Sequence, residues 1–169
     1  CVTIDHLFVP HAKVEEFTAV AKEIIGARYP SIDSPDYTSI IDARAFARVV
    51  GALEQARDMG ATLVQLVPGK PWDEGTRKIA PHIVLNAPPD CQLRTREIFG
   101  PVLPIIGYSS LDEVVKTINS APRPLALYPF SNDRKTVDYL IEHIMSGGVC
   151  VNDAVLHAAQ HDMPFGGVG

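Results

Sequence analysis

Glu97-Ile98-Phe99-Gly100-Pro101-Val102-Leu103-Pro104 lies near the middle of the 169-residue chain, and the rest of the sequence is read outward from it. A carboxylate and an aromatic ring stand two residues apart, so an extended backbone would project them to the same side. Gly100 and Pro101 then mark a turn, and the apolar run from Val102 to Tyr108 reads as a buried strand. Such a segment offers one acid and one ring face to a sugar and its attached base.

Upstream of it, His82 to Leu85 is a short apolar strand between Pro81 and Pro88-Pro89. The proline- and glycine-containing stretch Pro68 to Lys78 reads as a surface loop, and Thr62 to Val67 as another strand. Asp42 is placed to cap a helix with the apolar stripe Phe46, Val49, Val50, Leu53 and Ala56, closed by Gly60. Before the loop Ser31 to Tyr37, the residues Val14, Phe17, Val20, Ala21, Ile24 and Ile25 recur at helical spacing, ending at Gly26 and Pro30. Val2 to Val9 reads as a strand running up to Pro10.

Downstream, Ser110 to Glu113 forms a capping box for a helix through Ile118. Leu125 to Phe130 reads as a strand. The stripe Val137, Leu140, Ile141 and Ile144 predicts a helix ending at Gly147-Gly148, and Val149 to Val151 a final strand. Helices alternating with short, continuously apolar strands predict an α/β fold, an open, mostly parallel twisted sheet with helices on both faces. No repeat, low-complexity stretch or linker interrupts the chain, so residues 1–169 are read as a single domain.

Hydrophobic residues at 46% and charged residues at 21% suit a globular domain with a real core. A net charge of -5 argues against nucleic acid or an anionic membrane as partner. No apolar run approaches the roughly 18–20 residues that cross a bilayer. Three cysteines do not make a disulfide framework, and a reducing, cytoplasmic setting is expected. The chain begins at Cys1 inside an expected strand and stops in mid-loop at Gly169, the pattern expected of a piece of a longer polypeptide.

Four strings together carry a resemblance. Glu97 to Pro104 resembles the nicotinamide-ribose motif of the aldehyde dehydrogenases. Cys1, followed by Val2-Thr3-Ile4-Asp5-His6, resembles the nucleophile of the class-3-like branch. Ser146-Gly-Gly-Val-Cys-Val-Asn152-Asp153 and Pro164-Phe165-Gly-Gly-Val-Gly169 are similar to strings that close the family's catalytic domain. Ser34 to Asp42, Thr76 to Pro81 and Pro124 to Phe130 also look like class-3 segments, and Val151 to His157 resembles bacterial members acting on coniferyl aldehyde.

The resemblance implies an NAD-dependent enzyme, with NADP as the alternative, that oxidises an aldehyde to its carboxylic acid. Cys1 would attack as a thiolate, forming a thiohemiacetal and then a thioester. Glu97 would hold the nicotinamide ribose hydroxyls and Phe99 the nicotinamide side. Asn152 would steady the active-site loop, while Phe165, Leu156 and His157 would line the substrate pocket. A coniferyl aldehyde-like aromatic substrate is favoured over an aliphatic one, and a homodimer of the full-length parent is implied. The cofactor-binding half, the general base and an oxyanion-hole asparagine belong upstream in the family, so the fragment alone is expected to be inactive.

Two further patterns bear on metal and thiol chemistry. His157 and His161 have the spacing of a zinc helix but lack its glutamate, so no metal is expected. Cys91 and Cys150 are read as passive, and Arg94 and Arg96 as solvated or structural. A non-catalytic assembly module is the alternative from outside enzymology, because the edges of a truncated sheet self-associate.

Overall fold

Residues 1–168 are described by a computed structural model. They group into two units, one spanning Asp5–Gly107 and the other joining Cys1–Ile4 to the chain from Tyr108 onward.

From Asp5 the chain forms β1 (Leu7–Pro10), α1 (Val14–Arg28), α2 (Ala43–Asp58), β2 (Thr62–Gln65), β3 (Trp72–Asp73), β4 (Lys78–Ile79), β5 (His82–Leu85), α3 (Gln92–Thr95) and β6 (Val102–Tyr108). The main sheet runs β1-β6-β5-β2. β5 and β6 are parallel, from His82 opposite Val102 to Leu85 opposite Ile105, and β2 pairs with β5 antiparallel. Strand alternation sorts the side chains to two faces. Val84 and Val102 pack with Phe46, Val49, Leu53 and Ala56 of α2, whereas Ile83 and Ile105 pack with Val9 and with Val14, Ala21 and Ile25 of α1. β5 is therefore covered on both sides, which explains its unbroken apolar run. Val49, Leu53 and Val84 are wholly shielded from solvent, each worth about 1.5–3 kcal/mol of transfer free energy. The mixed α/β architecture with a parallel-rich sheet is the one the sequence predicts.

Asp42 caps α2 as expected, its Oδ1 accepting from Ala45 N–H at 2.7 Å. Other boundaries differ. The expected strand Val2 to Val9 shrinks to β1, because Asp5 and His6 spend their side chains on backbone groups near residues 93–98. α1 continues through Gly26 to Arg28, and its stripe residues Phe17, Val20 and Ile24 remain exposed. The expected loop Pro68 to Lys78 contains the β3–β4 ribbon, with Trp72 opposite Ile79. Its turn is held by Asp73, whose Oδ1 accepts from Thr76 N–H at 3.0 Å.

From Tyr108 onward the chain forms α4 (Leu111–Asn119), β7 (Ala126–Leu127), α5 (Arg134–His143) and β8 (Gly148–Val149), followed by a 3-10 turn at Leu156–Ala159. Ser110 Oγ accepts from Glu113 N–H at 3.3 Å, and Glu113 returns a bond to Ser109 N–H at 2.9 Å, one residue earlier than in the standard capping box. Asp133 caps α5, accepting from the amides of Lys135 and Thr136. α4 and α5 are tied by Tyr139 O–H donating to Asp112 and by Asn119 Nδ2 donating to His143 O at 2.8 Å. The strands expected at Leu125 to Phe130 and Val149 to Val151 reduce to the two-residue parallel pair β7–β8. In the α5 stripe Val137 and Ile144 are buried while Ile141 faces solvent.

Candidate active site

The loop between α3 and β6 is built from its backbone outward. Ile98 is buried, and the residues on either side of it, Glu97 and Phe99, are exposed. Ile98 N–H donates to Asp5 Oδ1 at 2.9 Å. Arg48, on α2, donates to Ile98 O at 2.5 Å and to Glu97 O at 3.3 Å. Asp5 in turn stands 3.0 Å from His6 Nδ1. Burial opposes the charged form of Asp5, but the hydrogen bonds from His6 and Ile98 and the charge of His6 hold its carboxyl below the usual carboxylate value.

Phe99 has φ +48°, the left-handed region. The extended geometry expected for Glu97 to Phe99 is therefore not found: the two side chains reach solvent around a kink, not by strand alternation. Such a conformation costs a bulky residue roughly 1–2 kcal/mol and persists only where its surroundings over-determine it. Here Ile98 anchors one side. On the other, Gly100 lies so close to α2 that a Cβ would sit 3.0 Å from both methyls of Val49.

Cys1 is an exposed free thiol. It does not head a buried strand as expected, since strand pairing starts only at Leu7. The carbonyl of its neighbour Val2 accepts from Tyr128 O–H at 2.5 Å. The Tyr128 ring lies 5.6 Å from that of His157, and burial raises the Tyr128 hydroxyl above the usual phenol value. His157 seats its edge against Gly148, where a Cβ would fall 2.5 Å from its Cδ2. Gly148 thus serves close packing within β8 and does not end α5, which stops at His143, short of the expected Gly147-Gly148. Both His157 ring nitrogens are buried without a hydrogen-bond partner among the described residues.

Asn152 has φ +57° and pairs with the Ser131 backbone in both directions, accepting from its N–H at 2.8 Å and donating to its carbonyl at 3.1 Å. Leu156 and His157 lie on the 3-10 turn, and Leu156 and Phe165 are exposed. That turn ends at Ala159, so no α-helix carries His157 and His161 on one face. Cys91 is fully buried and Cys150 half-buried.

The structure brings His157 and the Cys1–Val2 segment to Tyr128, and it sets Glu97 beside Phe99. Asp5, Arg48 and Tyr128 were not singled out from the sequence. Asp5 falls within the string that carries the Cys1 resemblance and Tyr128 within Pro124 to Phe130, while Arg48 is one basic residue on a helix and gives no local signal.

The profile described as the Aldehyde dehydrogenase family matches residues 1–169. The chain is 44% identical over its full length to a protein of Pseudomonas aeruginosa named probable coniferyl aldehyde dehydrogenase, covering 35% of that protein. It is 38% identical to the coniferyl aldehyde dehydrogenase of a Pseudomonas species, covering 36% of it. Among solved structures, the substrate-bound state of Staphylococcus aureus AldH matches with a TM-score of 0.88 and 31% identity, over 98% of this chain and 35% of that one. The chain spans about a third of the length of the relatives it matches.

Proposed function

The chain belongs to the aldehyde dehydrogenase family, and from that premise we propose that residues 1–169 serve as one catalytic domain of an NAD(P)-dependent enzyme that oxidises an aldehyde to its carboxylic acid. One observation carries the reading: an exposed acid and an exposed ring share a loop whose backbone is pinned on both sides, and the ring's residue holds a strained φ. Strain of this kind, on an aromatic that gains little from burial, fits a ligand-facing role.

In this reading the residues suit a nicotinamide cofactor. A carboxylate has only acceptors, and the paired ribose hydroxyls are donors, so Glu97 would grip the sugar. Phe99 would lie against the nicotinamide side. When bound, the cofactor supplies the hydride acceptor. NAD is favoured, with NADP as the alternative.

Cys1 is the nucleophile in this proposal. Its thiolate adds to the aldehyde carbon to give a thiohemiacetal. Loss of hydride leaves a thioester, and water releases the acid and regenerates the thiolate. Asn152 holds the Ser131 backbone near the substrate, and Phe165, Leu156 and His157 meet the aldehyde's side chain. The likeness to relatives named for coniferyl aldehyde favours an aromatic phenylpropenal over an aliphatic aldehyde. A homodimer in the cytoplasm completes the proposal.

The test is a panel of aldehydes assayed by NADH formation with the protein expressed from its own gene. Phenylpropenals are expected to give the highest kcat/KM, and Cys1→Ala to abolish turnover. Retention of most of the rate by the alanine variant would remove Cys1 as the nucleophile.

A further inference from the structure

We propose that Asp5 and Arg48 are positioning residues that clamp the Glu97–Phe99 loop from opposite sides and set the geometry in which it meets the cofactor. The inference rests on the cofactor-site reading of Glu97 and Phe99. The hydrogen bonds that Asp5 and Arg48 make to the loop run to its backbone. Asp5 takes the one backbone donor between them, Ile98 N–H, at 2.9 Å. Arg48 takes the two adjoining carbonyls, of Glu97 at 3.3 Å and Ile98 at 2.5 Å. The peptide groups on both sides of Ile98 are thereby fixed while Glu97 and Phe99 stay free.

The two residues come from distant parts of the sequence. Asp5 lies four residues after Cys1, and Arg48 is on α2, whose Val49 supports Gly100 just beyond the loop. Asp5 is itself oriented by His6, which faces two acceptors: Asp5 Oδ2 at 3.0 Å from Nδ1 and Leu93 O at 3.1 Å from Nε2. Leu93 is buried, so the His6 bridge links Asp5 to a fixed point of the core. Hydrogen bonds accepted by an ionised carboxylate, such as that of Asp5 from Ile98 N–H, are stronger than neutral ones, which suits a loop that must hold a strained residue.

The test uses two reactions of the protein expressed from its own gene. Aldehyde oxidation needs both the thiolate and the cofactor. Hydrolysis of p-nitrophenyl acetate needs only the thiolate: sulfur attacks the ester carbonyl, nitrophenolate leaves, and water frees acetate and the thiolate. Asp5→Ala is expected to raise KM for NAD and lower oxidation kcat, about ten- to a hundredfold combined, because misplacing a bound reactant by an ångström costs that much. Ester turnover should stay within twofold. Asp5→Asn keeps an acceptor for Ile98 N–H and should recover most of the loss. Arg48→Met should reproduce the Asp5→Ala pattern, and it decides the matter if Asp5→Ala does not fold.

Unchanged NAD kinetics in Asp5→Ala and Arg48→Met would overturn the clamp. So would equal losses in the two reactions, or an asparagine variant no better than alanine. Glu97→Gln separates the layers. If it shifts NAD kinetics while the clamp variants do not, only the clamp fails; if Glu97→Gln has no effect, the cofactor-site reading fails and takes the clamp with it.

Discussion

The loop Arg96–Pro101 and the segment Val151–Phe165 both present large side chains to solvent, but they are held in different ways. In the first, distant side chains grip the backbone, and buried Ile98 separates exposed Glu97 from exposed Phe99. In the second, Asn152 ties the segment's start to Ser131, and beyond it the backbone–backbone bonds among the described residues are short-range, such as Ala158 N–H to Val155 O at 2.9 Å. Leu156, Met163 and Phe165 are more than half exposed along it. Long-range anchoring limits local opening, whereas short-range turns allow it at little cost. Under the proposed function, the anchored loop suits an invariant cofactor and the locally bonded segment suits variable aldehydes.

The strongest way to break the comparison is to disturb the packing beneath the first loop. Val49 is fully buried and its methyls face the Gly100 Cα. Gly100→Ala is expected to cost about 1–3 kcal/mol through overpacking, and Val49→Ala about 2 kcal/mol through lost burial and a cavity. Combined, they should cost less than the sum, because each relieves the other. Urea denaturation of the four proteins measures this, and strict additivity would show that Gly100 and Val49 do not share the site.

The matching change in the second region is smaller. Asn152→Ala removes two exposed hydrogen bonds and leaves alanine at φ +57°, an expected cost of about 1–2 kcal/mol. Increased proteolysis between residues 152 and 165, with the first unit unaffected, would confirm that Asn152 is the segment's anchor. An unchanged cleavage pattern would place the anchor elsewhere.

Local signals carried much of the fold. Asp42, Ser110 and Gly60 marked helix ends because capping depends on a few adjacent residues. β5 and β6 were legible because a strand covered on both sides is apolar throughout. Strand length was not legible where it depended on distant partners. Val2 to His6 has strand-like composition, yet Asp5 and His6 bind residues some ninety positions away. At the site, the octapeptide pointed to Glu97 and Phe99, but the kink at Phe99 had no local signal. Phe99 stands between groups that distant residues contact, the Ile98 peptides by Asp5 and Arg48 and Gly100 by Val49, and such contacts leave no pattern in the local sequence.

Acidification acts on the first region through His82 in β5. Its ring is buried, its Nδ1–H donates to Ala80 O at 2.7 Å, and its main-chain N–H donates to Pro101 O at 2.9 Å, where the loop ends. Burial pushes the imidazole below its ordinary value of 6.5. The unfolded chain therefore takes up the proton first. The stability His82 contributes is fully present above about pH 6.5 and declines as pH falls below it, by up to about 1.4 kcal/mol per pH unit for one proton. The Asp5 carboxyl, held below 3.8, acts only in a lower window. Urea midpoints read by Trp72 fluorescence between pH 7.5 and 5 should fall with pH, and His82→Asn should flatten the slope. An equal slope in the variant would assign the effect to other groups.

The smallest expected change in stability is at Phe99, and it bears most directly on why the first loop is anchored so heavily. Replacing Phe99 by glycine removes a ring that is 60% exposed, so little burial is lost. It also removes the left-handed strain, a gain of roughly 1–2 kcal/mol, offset by about 0.5–1 kcal/mol for the freer unfolded chain. Stability should end within about 1 kcal/mol of the parent. Activity should not follow: if the strained ring is there for the nicotinamide, KM for NAD rises while ester hydrolysis by Cys1 is kept. A glycine variant as active as the parent would mean that the strain serves packing, and the contrast between an anchored cofactor loop and an adaptable substrate segment would lose its functional basis.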